Sequence, residues 1–407
     1  MTSRVTAARI NLDVVRSNFA AIQQYLACEP GRTRPPGIIA VVKANAYGHG
    51  ADRVGPALEQ AGATMLACAD IEEGIALRRA GVRVPILVFG ALGVSDLAGI
   101  FELDLTPTIS TPSAARAVQE AAVRARRTIG YHLKIDTGMN RLGFRHDNLR
   151  HTLPELLASP NLRLDAAYTH FAAANDPESP LFETQRERFE RALSTVEELG
   201  GRPILRHAAN SAALLRDSRV WYDAVRPGLL LYGIVPPPLA TTIPLQPVMS
   251  LTSRVVAVKG MRAGEGVGYG WRHRAESPRT IAIVPAGYAD GIDTRVSGRG
   301  SVLIRGTRAP IVGSVSMDMM VVDVTGLDVA PGDEVVILGR QGDESWQRID
   351  AREMAAAIGT IPWEVVCRIG TRIEREYEEP PNPNSQRPTS DSQHSTPNSQ
   401  NPPAVDS

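Results

Sequence analysis

A lysine closes the first long apolar run of the chain: Val41-Val42-Lys43-Ala44-Asn45-Ala46-Tyr47-Gly48-His49-Gly50. An amine at the end of a buried segment carries a costly charge, and desolvation lowers its pKa. Such an amine is a usable nucleophile, suited to a Schiff base with an aldehyde cofactor. A lysine that snorkels to solvent is the alternative for Lys43 taken alone. Its small neighbours, with Tyr47 one helical turn on, favour a site.

The same chemistry-bearing residues recur after later apolar runs. His132-Leu133-Lys134-Ile135-Asp136-Thr137-Gly138-Met139-Asn140-Arg141 brings Lys134, Asp136 and Arg141 together. These could hold an anion, since an Arg fork is the natural partner of a carboxylate. A structural Lys134–Asp136 ion pair fits the spacing equally well. Further on come Tyr168-Thr169-His170-Phe171, Arg206-His207-Ala208-Ala209-Asn210-Ser211 and Val225-Arg226-Pro227-Gly228-Leu229. A phosphate needs hydroxyls, backbone N–H groups and the close approach that Gly permits. Ser211 and Gly228 are the candidates. The Gly-rich segment Gly264–Gly270 does not link a strand to a helix, so a dinucleotide loop is not indicated. The eight His residues contain no HExxH or paired ligand spacing, and no metal is expected.

These residues need elements to position them. Apolar runs at Gly37–Val42, Thr64–Ala69, Val84–Phe89, Leu105–Ile109, Ile129–Ile135, Leu164–Thr169, Ile204–Arg206 and Ala224–Leu231 are short and continuous. Parallel strands covered on both faces look like this. Helices lie between them. Asp70-Ile71-Glu72-Glu73 has a capping-box pattern, Thr111-Pro112 starts another helix, and Phe182, Phe189, Leu193 and Val196 form an apolar stripe. Eight such units predict a (β/α)8 barrel, with an open doubly wound sheet as the alternative. In a barrel the candidate residues all fall at strand ends, and Ser211 and Gly228 follow the last two strands, the usual phosphate location.

After Pro236–Pro238 the pattern changes to short β-like runs: Ser253–Val258, Thr280–Val284, Ser301–Ile304, Met319–Val324 and Glu334–Leu338, with one helix from Asp350 to Gly359. The expected organisation is an α/β barrel over residues 1–240, a mainly β domain over 241–377, and a tail over 378–407. The tail has no aliphatic side chain before Ala404, and disorder is expected there. A chain of 407 residues exceeds the about 250–300 that one core supports, which agrees with two folded units.

Composition excludes several classes. Lys plus Arg is 44 and Asp plus Glu is 44, with the signs interspersed, which argues against a protein whose main partner is nucleic acid or anionic lipid. No apolar stretch reads as a signal peptide or membrane span. Cys28, Cys68 and Cys367 are widely spaced, which suits buried thiols in a reducing cytoplasm.

The lysine segment resembles the pyridoxal phosphate (PLP) attachment segment of alanine racemases. Lys134–Gly143, Tyr168–Phe171, His207–Ser211, Val225–Gly228, Val267–Gly270, Gly287–Gly291 and Ser316–Asp318 fit the same family in the same order, over roughly residues 5–377. The resemblance implies a PLP barrel plus a β domain, in a head-to-tail homodimer with shared sites. The reaction would interconvert L- and D-alanine and supply D-alanine for peptidoglycan. Lys43 would hold PLP and be one base; Tyr269 of the partner subunit would be the other. Tyr47, Ser211, Gly228 and Leu229 would hold the phosphate, with Asn210 beside it. His170 would lie against the ring, Arg226 would face its nitrogen, and His207 would buttress Arg226. Arg141 and Met317 of the partner subunit would position the substrate carboxylate. Lys134 matches a lysine often carbamylated in the family, and Tyr288 an entrance-channel tyrosine.

The sequence departs from the family at Asn140, where Gly or His is familiar, and at Gly370-Thr371-Arg372, where some members carry a phosphate-binding Tyr. Thr371 keeps a hydroxyl with less reach. A broader-specificity or serine racemase is the nearest alternative. A PLP decarboxylase would need a catalytic Cys in the β domain, and Cys367 lies too near the end of that domain to serve well. A single-barrel PLP carrier would lack the second domain.

Overall fold

A computed structural model describes residues 4–92, 97–342 and 347–378. The chain opens with strand β1 (Ala7–Asn11) and then builds eight parallel strands. They are β2 (Gly37–Val41), β3 (Met65–Cys68), β4 (Ile86–Val88), β5 (Thr106–Ile109), β6 (Ile129–Asp136), β7 (Leu162–Tyr168), β8 (Leu205–Asn210) and β9 (Ala224–Arg226). Neighbours pair in order, and β2 pairs β9, which closes the sheet into a barrel. The open-sheet alternative is thereby excluded.

Side chains alternate across each strand. Ile39 and Val41 of β2 join Met65, Ala67, Leu87 and Ala224 in a small inner cluster. Ile38, Ala40 and Val42 belong to the larger core beneath the helices. Lys43 and Arg226 continue the inner parity of Val41 and Ala224, so both point to the barrel axis at the strand ends. The expected helices are present. Asp70 caps Ile71–Arg79, Thr111 caps Pro112–Ala125, and Phe182, Phe189, Leu193 and Val196 are the buried face of Leu181–Glu198.

Two expectations need correction. The eighth apolar run does not stay extended to Leu231: Gly228 breaks it, and Leu229–Tyr232 forms a 3-10 turn. The run Ser253–Val258 is two strands, β10 (Met249–Arg254) and β11 (Ala257–Met261).

The second domain continues with β12 (Arg279–Val284), β13 (Ser301–Ile304), β14 (Thr307–Val312), β15 (Met320–Asp323), β16 (Glu334–Gln341) and β17 (Glu374–Glu378). The sheet order is β11-β12-β15-β14-β13-β16-β10-β1-β17. β1 thus ties the start of the chain into the second domain, antiparallel to β10 and parallel to β17. Asp350 caps helix Ala351–Ile358 as expected. The expected tail lies outside the described residues except for Glu378, which ends β17. Among the described residues, no helix is long and apolar enough to cross a membrane.

Candidate active site

The strand ends of the barrel surround a cavity of about 510 Å³. Lys43 and Tyr47 enter it after β2, Lys134 and Arg141 from β6 and its loop, and His170 after β7. Asn210 and Ser211 follow from β8, and Arg226, Gly228 and Leu229 from β9. Ten of the predicted residues are therefore brought together. Lys43, Lys134, Arg141 and Arg226 supply four cationic side chains, and among the described residues no Asp or Glu lines the wall. A cavity with that imbalance favours an anionic ligand.

The lysine lies at an unusual bend. Ala44, Asn45, Ala46 and Tyr47 have φ of 53°, 52°, 54° and 52°, a left-handed helical turn built without glycine. Each such residue costs about 1–2 kcal/mol. The turn that brings Tyr47 back to the cavity is thus the left-handed one. Gly48 continues it at φ 82°, and a Cβ there would lie 2.4 Å from the Val366 carbonyl oxygen. Buried His49 has Nδ1 within 3.0 Å of the Ala46 oxygen and 2.9 Å of the Tyr47 oxygen. Both are acceptors, so Nδ1 carries the proton. Burial lowers the Lys43 pKa, and Arg141 lowers it further.

Lys134 is likewise shifted to about 8, first by burial and then by Arg141 and Arg226. The alternative of a structural Lys134–Asp136 ion pair is not realised. Asp136 instead accepts the amides of Gly138, Met139 and Asn140 on Oδ1, at 3.0, 2.9 and 3.1 Å, and so shapes the loop that presents Arg141.

Arg226 is buried without a carboxylate among its hydrogen-bond partners. Nη2 donates to the carbonyls of Thr169 and Ala208 at 2.8 and 3.0 Å, and Nη1 to His207 Nδ1 at 2.9 Å. Burial brings its pKa down to about 10. His207 lies behind it, outside the cavity, and His170 Nδ1 is 3.4 Å from Nη2.

Tyr47, Ser211 and Gly228 also meet at the cavity wall. The Gly228 N–H donates to Ser211 Oγ at 3.0 Å, and a Cβ on Gly228 would stand 2.6 Å from the Tyr47 hydroxyl. Only glycine lets that hydroxyl approach. Asn210 spends its Oδ1 capping the next helix at Ala213 N.

Tyr269, Tyr288 and Met317 do not join this group. They lie in the second domain and are 77%, 46% and 52% exposed. Thr371 is exposed and does not line the cavity. Sequence reasoning missed Trp363, which lines the cavity from helix Pro362–Cys367. Cys367 on that helix interacts with Lys43, and partial burial pushes its thiol up to about 11; Cys28 and Cys367 are nonetheless exposed, and Cys68 is the buried one of the three cysteines expected to be buried. Tyr168 was noted without a role; its ring stacks on His207 at 4.7 Å and lies 5.2 Å beneath the Arg226 guanidinium. Among the described residues, no cluster of metal-ligating side chains occurs.

Two family models match. The alanine racemase N-terminal domain covers residues 10–236 and the alanine racemase C-terminal domain covers 248–377. The chain belongs to the alanine racemase family. Alanine racemase of Symbiobacterium thermophilum is 39% identical over 376 residues, covering 92% of this chain and 97% of the relative. That of Sorangium cellulosum is 40% identical over 384 residues, covering 93% and 100%. The crystal structure of alanine racemase from Streptomyces lavendulae superposes with a TM-score of 0.87 at 36% identity, covering 93% of this chain and 98% of that one. The Bartonella henselae alanine racemase, which has covalently bound pyridoxal phosphate, gives a TM-score of 0.80 at 28% identity, covering 92% and 99%. The chain is an amino-acid racemase built as a barrel plus a mainly β domain, as its sequence resemblance implied.

Proposed function

We propose that this alanine racemase uses pyridoxal phosphate and two bases, Lys43 of one chain and Tyr269 of the partner subunit, to interconvert L- and D-alanine. The observation that carries the reading is the cavity at the barrel mouth. It combines a lysine of lowered pKa, a Ser211–Gly228–Tyr47 donor group and an excess of positive charge.

The residues fit the cofactor. Ser211 Oγ, the Gly228 and Leu229 backbone and the Tyr47 hydroxyl would hold its phosphate, beside Asn210. The missing Cβ of Gly228 lets the Tyr47 hydroxyl come up beside the Gly228 backbone. Lys43 would bond to its aldehyde carbon, and His170 would lie against its ring. Bound PLP supplies an electron sink for a carbanion at the substrate Cα.

The chain's own groups then hold and move protons. Lys43, less basic than a free lysine, removes or returns the proton on one face of Cα. The phenol of Tyr269 from the partner subunit serves the other face. Arg226 would donate a hydrogen bond to the ring nitrogen without surrendering a proton. That would moderate the sink and limit transamination. Arg141, with Met317 of the partner subunit, orients the substrate carboxylate. Lys134 stands beside Arg141, and Tyr288 guards the entrance.

The homodimer has its own support. Tyr269 rides on a turn whose flanking Gly268 and Gly270 have φ of 66° and 71°. Trp271, Tyr288, Met317 and Met319 are exposed on the same domain. Large apolar side chains in such number on one domain fit a face that another copy covers. The product D-alanine would serve peptidoglycan synthesis in the cytoplasm.

The test is conversion of L-alanine to D-alanine by the purified chain, stripped of cofactor and then resupplied with PLP. Racemisation that returns with PLP is expected, with alanine preferred over serine and larger amino acids. A preference for serine, or carbon dioxide release from basic amino acids, would contradict the reading.

A further inference from the structure

The sequence pattern Asp70-Ile71-Glu72-Glu73 reads as a capping box, in which the glutamate reaches back to the N-cap amide. Asp70 does its part, accepting the Glu73 N–H on Oδ1 at 2.9 Å. Glu73 does not. Its Oε1 accepts the Ala44 N–H at 2.6 Å and, at 3.4 Å, the Asn45 N–H; Oε2 accepts the Ala69 N–H at 2.7 Å. The carboxylate therefore leaves its own helix and grips the first two amides of the left-handed turn after Lys43.

Four consecutive non-glycine residues at positive φ persist only if their surroundings over-determine them. Three other side chains hold the later part of the turn. Asn45 Oδ1 accepts the Ala51 N–H at 2.8 Å, His49 Nδ1 donates to the Ala46 and Tyr47 carbonyls, and Arg375 Nε donates to the Gly48 carbonyl at 3.0 Å. Glu73 supplies the side-chain hydrogen bonds to the amides next to the lysine, and it is a charged acceptor, which makes the bonds strong.

We propose that Glu73 is a positioning residue that clamps the left-handed turn, so that Lys43 and Tyr47 reach the cavity in fixed register. The proposal rests on the reading of Lys43 and Tyr47 as cofactor-holding residues. It assigns Glu73 no contact with substrate or cofactor; its effect passes through the backbone of Ala44 and Asn45.

The experiment compares Glu73→Ala, Glu73→Gln and Asp70→Ala with the wild-type full chain. In the cofactor-free protein, amide exchange of the peptide covering residues 43–50 should accelerate in Glu73→Ala and stay unchanged in Asp70→Ala. The dissociation constant for PLP should rise about tenfold or more in Glu73→Ala, the scale expected when charge-assisted bonds are lost. In the holoenzymes kcat should fall with KM for alanine little changed, because Arg141 is untouched. Glu73→Gln keeps one acceptor oxygen and should lie between. If Glu73→Ala does not fold, Glu73→Gln alone decides: wild-type exchange and PLP affinity would overturn the clamp. Equal effects of Asp70→Ala and Glu73→Ala at residues 43–50 would reduce Glu73 to a helix cap and also overturn it. If the wild-type protein itself binds PLP at another lysine, the reading of the site fails instead, and unchanged exchange at 43–50 would separately count against the clamp.

Discussion

Arg226 Nη1 lies 2.9 Å from Nδ1 of His207, and a guanidinium can only donate. His207 Nδ1 is therefore the acceptor, and its proton sits on Nε2. That nitrogen is 3.0 Å from His132 Nδ1, which must accept in turn and keep its own proton on Nε2. One cation thus dictates the tautomers of two buried imidazoles. Burial and the Arg226 charge hold His207 well below the usual range, and burial brings His132 to about 4. Neutral acceptors behind Arg226, the His207 imidazole and the Thr169 and Ala208 carbonyls, fix the guanidinium without neutralising it.

Replacing that cation should change the chemistry more than the binding. Arg226→Glu should retain PLP, which on this proposal the Ser211–Gly228–Tyr47 group would hold independently. Racemisation should fall by roughly a hundredfold, the scale of losing one aimed donor. A carboxylate would favour a protonated ring nitrogen and a stronger electron sink, so pyruvate from transamination should rise. Measuring D-alanine and pyruvate side by side checks both, and unchanged racemisation would rule out the ring contact.

Stability should depend on pH through the same imidazoles. His49 and His132 are held to about 4, and His170 and His207 well below 6.5, burial being the first cause in each. Unfolded histidines titrate near about 6.5. Between that value and about 4, the unfolded chain binds protons that the native chain refuses. Stability is then full above about 6.5 and falls as pH drops, by up to about 1.4 kcal/mol per pH unit for each histidine. The thermal midpoint of the cofactor-free protein should drop between pH 7.5 and 5.5. His132→Asn should flatten that slope; a midpoint independent of pH would show that these imidazoles are charged in the native state.

The covalent claim has a direct chemical check. Borohydride reduction of the PLP-loaded protein, followed by peptide mapping, should leave the pyridoxyl group on Lys43. Lys134 is the informative competitor, since it lines the same cavity and has a pKa near 8. Finding the label there would transfer the role to β6.

Much of this site was legible in the chain because strand ends in a barrel have a visible grammar. Apolar runs end, and Lys43, Lys134, His170, Ser211 and Arg226 follow. The structure departs where the signal was three-dimensional. Glu73 follows a capping rule in sequence, yet its carboxylate meets the backbone of a turn 29 residues earlier. The left-handed turn could not be read from Ala44-Asn45-Ala46-Tyr47, because alanine and tyrosine do not favour that region. Lys134 and Asp136 have ion-pair spacing, but the amides of residues 138–140 claim the carboxylate. Strand β1 carries only five residues, and its place beside β10 and β17 depends on segments more than 230 residues away. Trp363 had no local signature, since only packing of its helix on the lysine turn brings it to the cavity.

The central claim is that each site joins Lys43 of one chain with Tyr269 of another. In a two-fold dimer both sites would be equivalent. Lys43→Ala and Tyr269→Phe should each be nearly inactive alone. Unfolded together and reassembled, they should form heterodimers with one doubly damaged site and one intact site. Racemisation should return to a fraction of wild type, in proportion to the heterodimer, and fall on dilution below the dimer dissociation constant. If heterodimers form and no activity returns, the two bases belong to one chain and the shared site is wrong.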